Sequence, residues 1–397
     1  MKITDKIKLQ VDELFHEITH HYHYLHQHPE LSHHEKETNE YITRFLDKEG
    51  IVYRNNIGGY GIVANIKGEA LDSDRVIAFC ADMDALPIEE ENDVPYKSIN
   101  KKVMHACGHD AQTASLMGAA KLLNMNREDF GGTVLFVFQP AEEQSPGGAH
   151  LMLKDGVFRD FEPELIIKQH AYIDLPAGKV AFQHGTIMAS ADEVHIKVKG
   201  QGGHGALPHE LNDTVLAASN IIVAMQQIVS RRRNPFSPMS LSFGKFIADG
   251  ATNVIPSEVV LAGSLRCMNE SERAKMLTLI PQITRATAAA YGCDCEISIP
   301  EGYPCTISDK EITDEVREIV LDLLGSNNVT EFPKRMTADD FGFFTEKFKS
   351  CYYRFGVVGK EKTGKLHTST FLIDEEALRL TSGLFVLLAL KMLEKRS

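Results

Sequence analysis

Four apolar runs of strand length limit this chain more than any other feature: "YGIVANI" (60–66), "RVIAFCA" (75–81), "TVLFVFQ" (133–139) and "ELIIKQ" (164–169). Long helical patterns separate several of them, notably at 110–124. Such alternation predicts an α/β fold, a sheet at least partly parallel and covered by helices. The opening segment reads as helices broken by "HPELS", with Gly50 as a stop. Near residue 185 the texture changes. "DEVHIKVKG" (192–200) alternates strictly, with Val194, Ile196 and Val198 on one face, as a half-exposed antiparallel strand does. A helix at 212–230, a strand pair within 239–267, a helix at 270–291 and a last strand in "CDCEISI" complete a small α+β module. From about residue 300 the helix–strand pattern resumes. A chain of 397 residues exceeds one ordinary core. The expected organisation is a discontinuous domain, 1–184 and 298–397, interrupted by an inserted module at 185–297.

The formal net charge of −13 argues against nucleic acid and anionic membrane as partners, since both need basic patches. The one dense basic run, Arg231-Arg232-Arg233, reads as a solvated helix end. The N-terminus shows no apolar core of a secretory signal. "LFVLLAL" near the C-terminus is far short of the roughly 20 residues a spanning helix needs, and reads as a buried packing helix. Seven scattered cysteines, an odd number, make no disulfide framework and point to a reducing cytoplasm.

Metal-type side chains gather where strands end. "RVIAFCA" runs into Asp82 and Asp84, which at i, i+2 share a face. "TVLFVFQ" runs into "PAEE", with Glu142 and Glu143, and "ELIIKQ" runs into His170. Ligands in α/β sheets bind outside the carboxyl ends of strands. "MHACGHDAQTAS" (104–115) adds Cys107 and His109 across a glycine pivot, and "LHTSTF" adds His367 after a Gly/Lys-rich loop. One thiolate, three imidazoles and one carboxylate exceed a tetrahedral zinc site and suit a pair of ions about 3.5–4 Å apart, with Cys107 as a bridge. Zinc, manganese, cobalt and nickel all accept such donors. In the doublet, one carboxylate can hold metal while the other moves a proton. Each residue alone reads as core, loop or solvated face, so from the residues alone a metal site and a set of structural side chains both stay open. Eight of the seventeen histidines fall in the N-terminal segment, and His16, His20 and His23 share a helical face, read as solvated.

Seven motifs in order, "HPELS", "ADMDALPI", "MHACGHDAQTASLMGAA", "FQPAEE", "GQGGHGALPH", "TNVIPSEVVLAGSLR" and "LHTSTFLIDEEAL", resemble the aminoacylase/carboxypeptidase metallopeptidases. The nearest branch holds bacterial amidohydrolases such as hippurate hydrolases and N-acetyldiaminopimelate deacetylases, with the plant auxin-conjugate hydrolases. The resemblance implies a zinc-peptidase-like catalytic domain with an inserted satellite domain that dimerises. It implies two divalent ions, manganese or zinc first and cobalt or nickel also accepted. Cys107 would bridge them, with His109, Glu143, His170 and His367 as terminal ligands. Glu142 would be the general base and Asp82 a support for the metal site. His204 would stabilise the oxyanion in the partner subunit's site. Asn253 and Arg266 would grip a substrate carboxylate.

The chain departs from the branch at Cys80, where arginine is usual, at Gln112 and His150, and in "HTSTF". The function expected is metal-dependent hydrolysis of the amide bond in N-acyl amino acids by a cytoplasmic homodimer, through metal-activated water. The alternatives are a metallo-dipeptidase or carboxypeptidase on unblocked peptides, and a non-catalytic binding homologue.

Overall fold

The apolar runs become inner strands of one sheet. The computed structural model describes residues 2–70, 73–359 and 364–394. The strands that matter here are β1 (Val52–Ile57), β2 (Gly61–Lys67), β3 (Val76–Asp82), β4 (Thr133–Gln139), β5 (Leu165–Pro176), β6 (Val180–Phe182), β7 (Asp192–Lys199), β8 (Met239–Ile247), β9 (Glu258–Cys267), β10 (Asp294–Ser298), β11 (Val329–Glu331) and β12 (Lys349–Val358). Eight of them form a mixed sheet ordered β1-β2-β4-β3-β5-β12-β6-β11. β3 runs parallel to β4 and β5, and β5 parallel to β12. Every residue of β3 and β4 is buried. Burial on both faces is why these strands read as continuous apolar runs instead of alternating ones. β1, "VYRNNI", escaped the sequence expectation because it is a polar edge strand, largely exposed.

Helices α1 (Ile3–Gln27), α2 (Lys36–Lys48) and α3 (His109–Met125) precede β4, and α4 (Gly148–Lys154) follows it. α5 (Thr214–Gln227) and α6 (Glu270–Ala290) belong to the inserted region, and α7 (Lys310–Leu324) and α8 (Glu376–Leu393) to the end of the chain. Ile77, Phe79 and Ala81 of β3 share one core with Ile18 of α1, Leu116 of α3 and Phe385 of α8. The "LFVLLAL" run is this buried α8. Among the described residues no helix is long and apolar enough to cross a membrane.

The chain divides into two compact units. The first comprises Met1–Gly185, Ile307–Pro333 and Phe343–Ser397, the second Thr186–Thr306 and Lys334–Gly342. The second unit has a four-stranded antiparallel sheet ordered β8-β9-β7-β10. Val194, Ile196 and Val198 of β7 are buried against Ile221 of α5 and Met276 of α6, and intervening residues stay partly or fully exposed. Asp213 and Asn269 cap α5 and α6 by accepting backbone N–H groups. The unit runs past 297, where the sequence pattern changes, because local bonds hold the next segment to it. The Arg273 guanidinium donates to the Gly302 carbonyl, and the Cys305 N–H donates to Glu270. It also reclaims 334–342, where the Arg335 N–H donates to the Ile187 carbonyl.

Candidate metal centre

Parallel strands end together, and the first unit gathers its polar side chains there. Asp82 closes β3, Glu142 and Glu143 follow β4, and His170 lies within β5. Gly108 caps α3 in the left-handed region (φ 87°), which turns the chain so that Cys107 and the first helical residue, His109, face one place. His367 also has a positive φ, 61°, an uncommon state for a non-glycine residue. The Gly/Lys-rich loop before it falls partly on 360–363, outside the described residues.

Within the first unit, three sets of donor atoms cluster within 4.8 Å: Cys107, His109 and His170; Cys107, Glu143 and His367; and His109, Glu142 and Glu143. Cys107 belongs to the first two. Its Sγ lies 3.5 Å from His170 Nε2 and 3.3 Å from His367 Nε2. His367 Nε2 is also 3.3 Å from Glu143 Oε1. His109 Nδ1 sits 2.9 Å from the Asp84 carbonyl and donates to it, which leaves Nε2 as the ring nitrogen facing the cluster. His170 Nδ1 likewise donates to the Ala171 carbonyl at 3.0 Å. Asp82 Oδ2 and Glu142 Oε2 approach His109 Nε2 to 3.7 Å and 3.9 Å.

Two buried carboxylates, Glu35 and Asp84, hold this arrangement. Glu35 accepts the Ala141 N–H at 2.7 Å, and Asp84 accepts the Glu143 N–H at 2.9 Å, so the two together pin the "PAEE" turn. Ser32 donates to Asp84 at 2.6 Å. Burial would raise the Asp84 carboxyl, but hydrogen bonds from His109, Ser32 and Glu143 hold it at about 2. Burial and the Asp84 charge push Glu35 up to about 7. Asp84 was visible through its spacing from Asp82; Glu35 was not singled out, since a lone Glu carries no pattern.

The residues fit a pair of cations. His109 Nε2 is buried and has no hydrogen-bond partner among the described residues. Burial opposes protonation of His109, yet Cys107, Asp84 and Asp82 raise its pKa well above the usual value. Hydrogen bonds to Cys107 and Glu143 push His367 up to about 10. Burial, with the Glu143 charge, raises the Cys107 thiol. Imidazoles that hold protons this firmly report an excess of negative groups, and divalent ions suit these S, N and O donors.

His204, Asn253 and Arg266 lie in the second unit. His204 is exposed, its Nδ1 accepting the Ala206 N–H at 3.1 Å, and the Gly205 N–H donates to the Asn253 carbonyl at 2.8 Å. Arg266 is half-buried on β9, and burial lowers its pKa against the pull of Asp192 and Glu193. Of the N-terminal histidines, His16 and His20 are solvated, but His23 is half-buried and stacks on Tyr96. His21 and His26 are buried.

The sequence profile of peptidase family M20/M25/M40 matches residues 78–391. A hippurate hydrolase from Campylobacter jejuni is 37% identical over 377 residues, covering 94% of this chain and 95% of that protein. Thermostable carboxypeptidase 2 from Saccharolobus solfataricus is 34% identical over 401 residues, covering all of both chains. A solved Bacillus subtilis structure, a dinuclear metal-binding peptidase of the M20 family, superposes with a TM-score of 0.82 at 32% identity, covering 97% of this chain and 100% of that one.

Proposed function

The chain belongs to peptidase family M20/M25/M40 and is a metal-dependent hydrolase of C–N bonds, and from that premise we propose that it cleaves the amide of N-acyl amino acids. The observation that carries this reading is the shared position of Cys107 between the His109–His170 pair and the Glu143–His367 pair. In this proposal Cys107 would be the ligand shared by two ions, and His109, Glu143, His170 and His367 would each hold one of them. The ions, when bound, lower the pKa of a water and polarise the acyl carbonyl. Manganese or zinc is the proposed native metal.

In this reading Glu142, buried beside His109, takes the proton of the attacking water. It then delivers that proton to the leaving nitrogen as the C–N bond breaks, which yields a carboxylate and a free amino acid. Asp82 supports His109. His204 supplies the oxyanion donor to the partner subunit's site, and Asn253 and Arg266 bind the substrate carboxylate. The second unit is the dimerisation domain. The cysteines of both units form no disulfide among the described residues and suit the cytoplasm, the compartment proposed.

A second reading, carboxypeptidase action on unblocked peptides, is supported by the full-length similarity to a carboxypeptidase. Release of free amino acid from N-acetyl, N-benzoyl and unblocked dipeptide substrates separates the two. The assay uses chelated protein restored with manganese, zinc, cobalt or nickel. Preference for N-acyl substrates is expected, and preference for free dipeptides would transfer the assignment to the second reading. Glu142→Ala should bind two ions and lose at least about 100-fold in kcat; near-normal turnover would remove Glu142 from the base role.

A further inference from the structure

Lys168 is a fully buried lysine in the middle of β5. It is the register partner of Cys80 on the parallel strand β3. Paired residues of neighbouring strands share a face, and so do residues two apart, so Lys168, Cys80 and Asp82 lie on one side of the sheet. Their neighbours on that side, Ala78 and Ile166, are apolar and fully buried. A charge in such a place is costly unless it is paired. The Lys168 ammonium Nζ donates to Asp82 Oδ1 at 2.8 Å and forms an ion pair with Asp82 Oδ2 at 2.7 Å.

That pair sits against the metal centre. Asp82 Oδ2 is 3.7 Å from His109 Nε2, the nitrogen left for metal once Nδ1 has bonded to the Asp84 carbonyl. A carboxylate at that distance from a ligating nitrogen would itself be a competent ligand for a divalent ion. We propose that Lys168 is a positioning residue that holds Asp82 out of the coordination sphere. Its ammonium pairs with the carboxylate, so Asp82 acts as a counter-charge beside His109 and not as a sixth ligand. Lys168 brings a cation from the neighbouring strand to the face of the sheet that holds Cys80 and Asp82. The inference rests on His109 being a metal ligand.

The test uses the full-length enzyme loaded with cobalt(II), whose visible absorption weakens as coordination number rises. Lys168→Met should still bind two ions per chain, with a visible band several-fold weaker than that of the parent and a kcat lowered by at least tenfold. Lys168→Met combined with Asp82→Asn should recover the parental band, because the added ligand is gone. Should Lys168→Met not fold, Lys168→Gln, which keeps an amide donor without the charge, is read in its place. An unchanged band with two ions bound overturns the proposal. So does a weakened band that Asp82→Asn fails to restore, since the effect would then not pass through Asp82. Failure of the underlying metal reading is separate: it appears as His109→Ala binding two cobalt ions with the parental spectrum.

Discussion

Gly108 shows how much of the site hangs on single residues. Its φ of 87° is strained for any L side chain, and an added Cβ would stand 2.9 Å from the Ala171 Cβ. Gly108→Ala is therefore expected to cost about 1–3 kcal/mol of stability and to displace His109 from Cys107. Denaturant unfolding reads the first effect, and a metal titration showing weaker binding of at least one ion reads the second. Glu35 acts through the backbone instead. Glu35→Ala leaves the buried Ala141 N–H without its acceptor, a loss of about 1–3 kcal/mol. Since that N–H begins the turn bearing Glu142 and Glu143, kcat should fall more than KM rises. At this scale the ligand types were legible because thiol, imidazole and carboxylate stood in compact motifs at strand ends. Glu35 and Lys168 were not legible, because a lone Glu and a lone Lys carry no pattern until folding shows what they face.

Helix α1 is joined to the start of α3 by one side chain. His26 Nδ1 lies 2.6 Å from Asp110 Oδ2 and its Nε2 3.0 Å from Glu90 Oε1, with the Tyr22 and Tyr96 rings against it and His105 close enough to feel its charge. Burial disfavours the imidazolium, but the two carboxylates outweigh it and raise its pKa from 6.5 to about 9. A raised pKa means that the folded state binds the proton more tightly, so the stabilisation is complete below pH 6.5 and disappears as pH rises through about 9. His26→Gln should thus be less stable than the parent by about 3 kcal/mol at pH 6, and the gap should close by pH 10. Paired denaturant titrations across that range check it, and a gap independent of pH would refute the charged strap. The strand α1 helps to cover was legible as an apolar run, whereas the strap was not. Histidines spaced along one helix look alike in sequence, and only the opposing carboxylates distinguish His26 from the solvated His16 and His20.

Across the whole molecule, exposed apolar surface is uneven. Of thirteen large hydrophobic side chains exposed among the described residues, eight lie in the second unit: Leu207, Leu216, Val223, Phe236, Phe246, Ile247, Val254 and Met336. Phe246 and Ile247 are on β8, an edge strand of the four-stranded sheet. Unpaired edges and apolar patches are where a second copy of a chain docks. Light scattering is expected to return twice the chain mass, and Val223→Asp with Ile247→Asp should shift the protein toward the monomer. A monomeric parent would withdraw the homodimer proposal.

The α/β class and most strands were set by hydrophobic pattern alone, because a strand buried on both faces must be apolar throughout and one buried on a single face must alternate. The metal-type residues were set as well, since their chemistry cannot be replaced by other side chains. The meeting of Cys107, His109, Glu143, His170 and His367 belongs to tertiary structure, as do the hold of Lys168 on Asp82 and the return of 334–342 to the second unit. Those pairings join segments up to hundreds of residues apart, and local pattern carries no term for a contact across that distance.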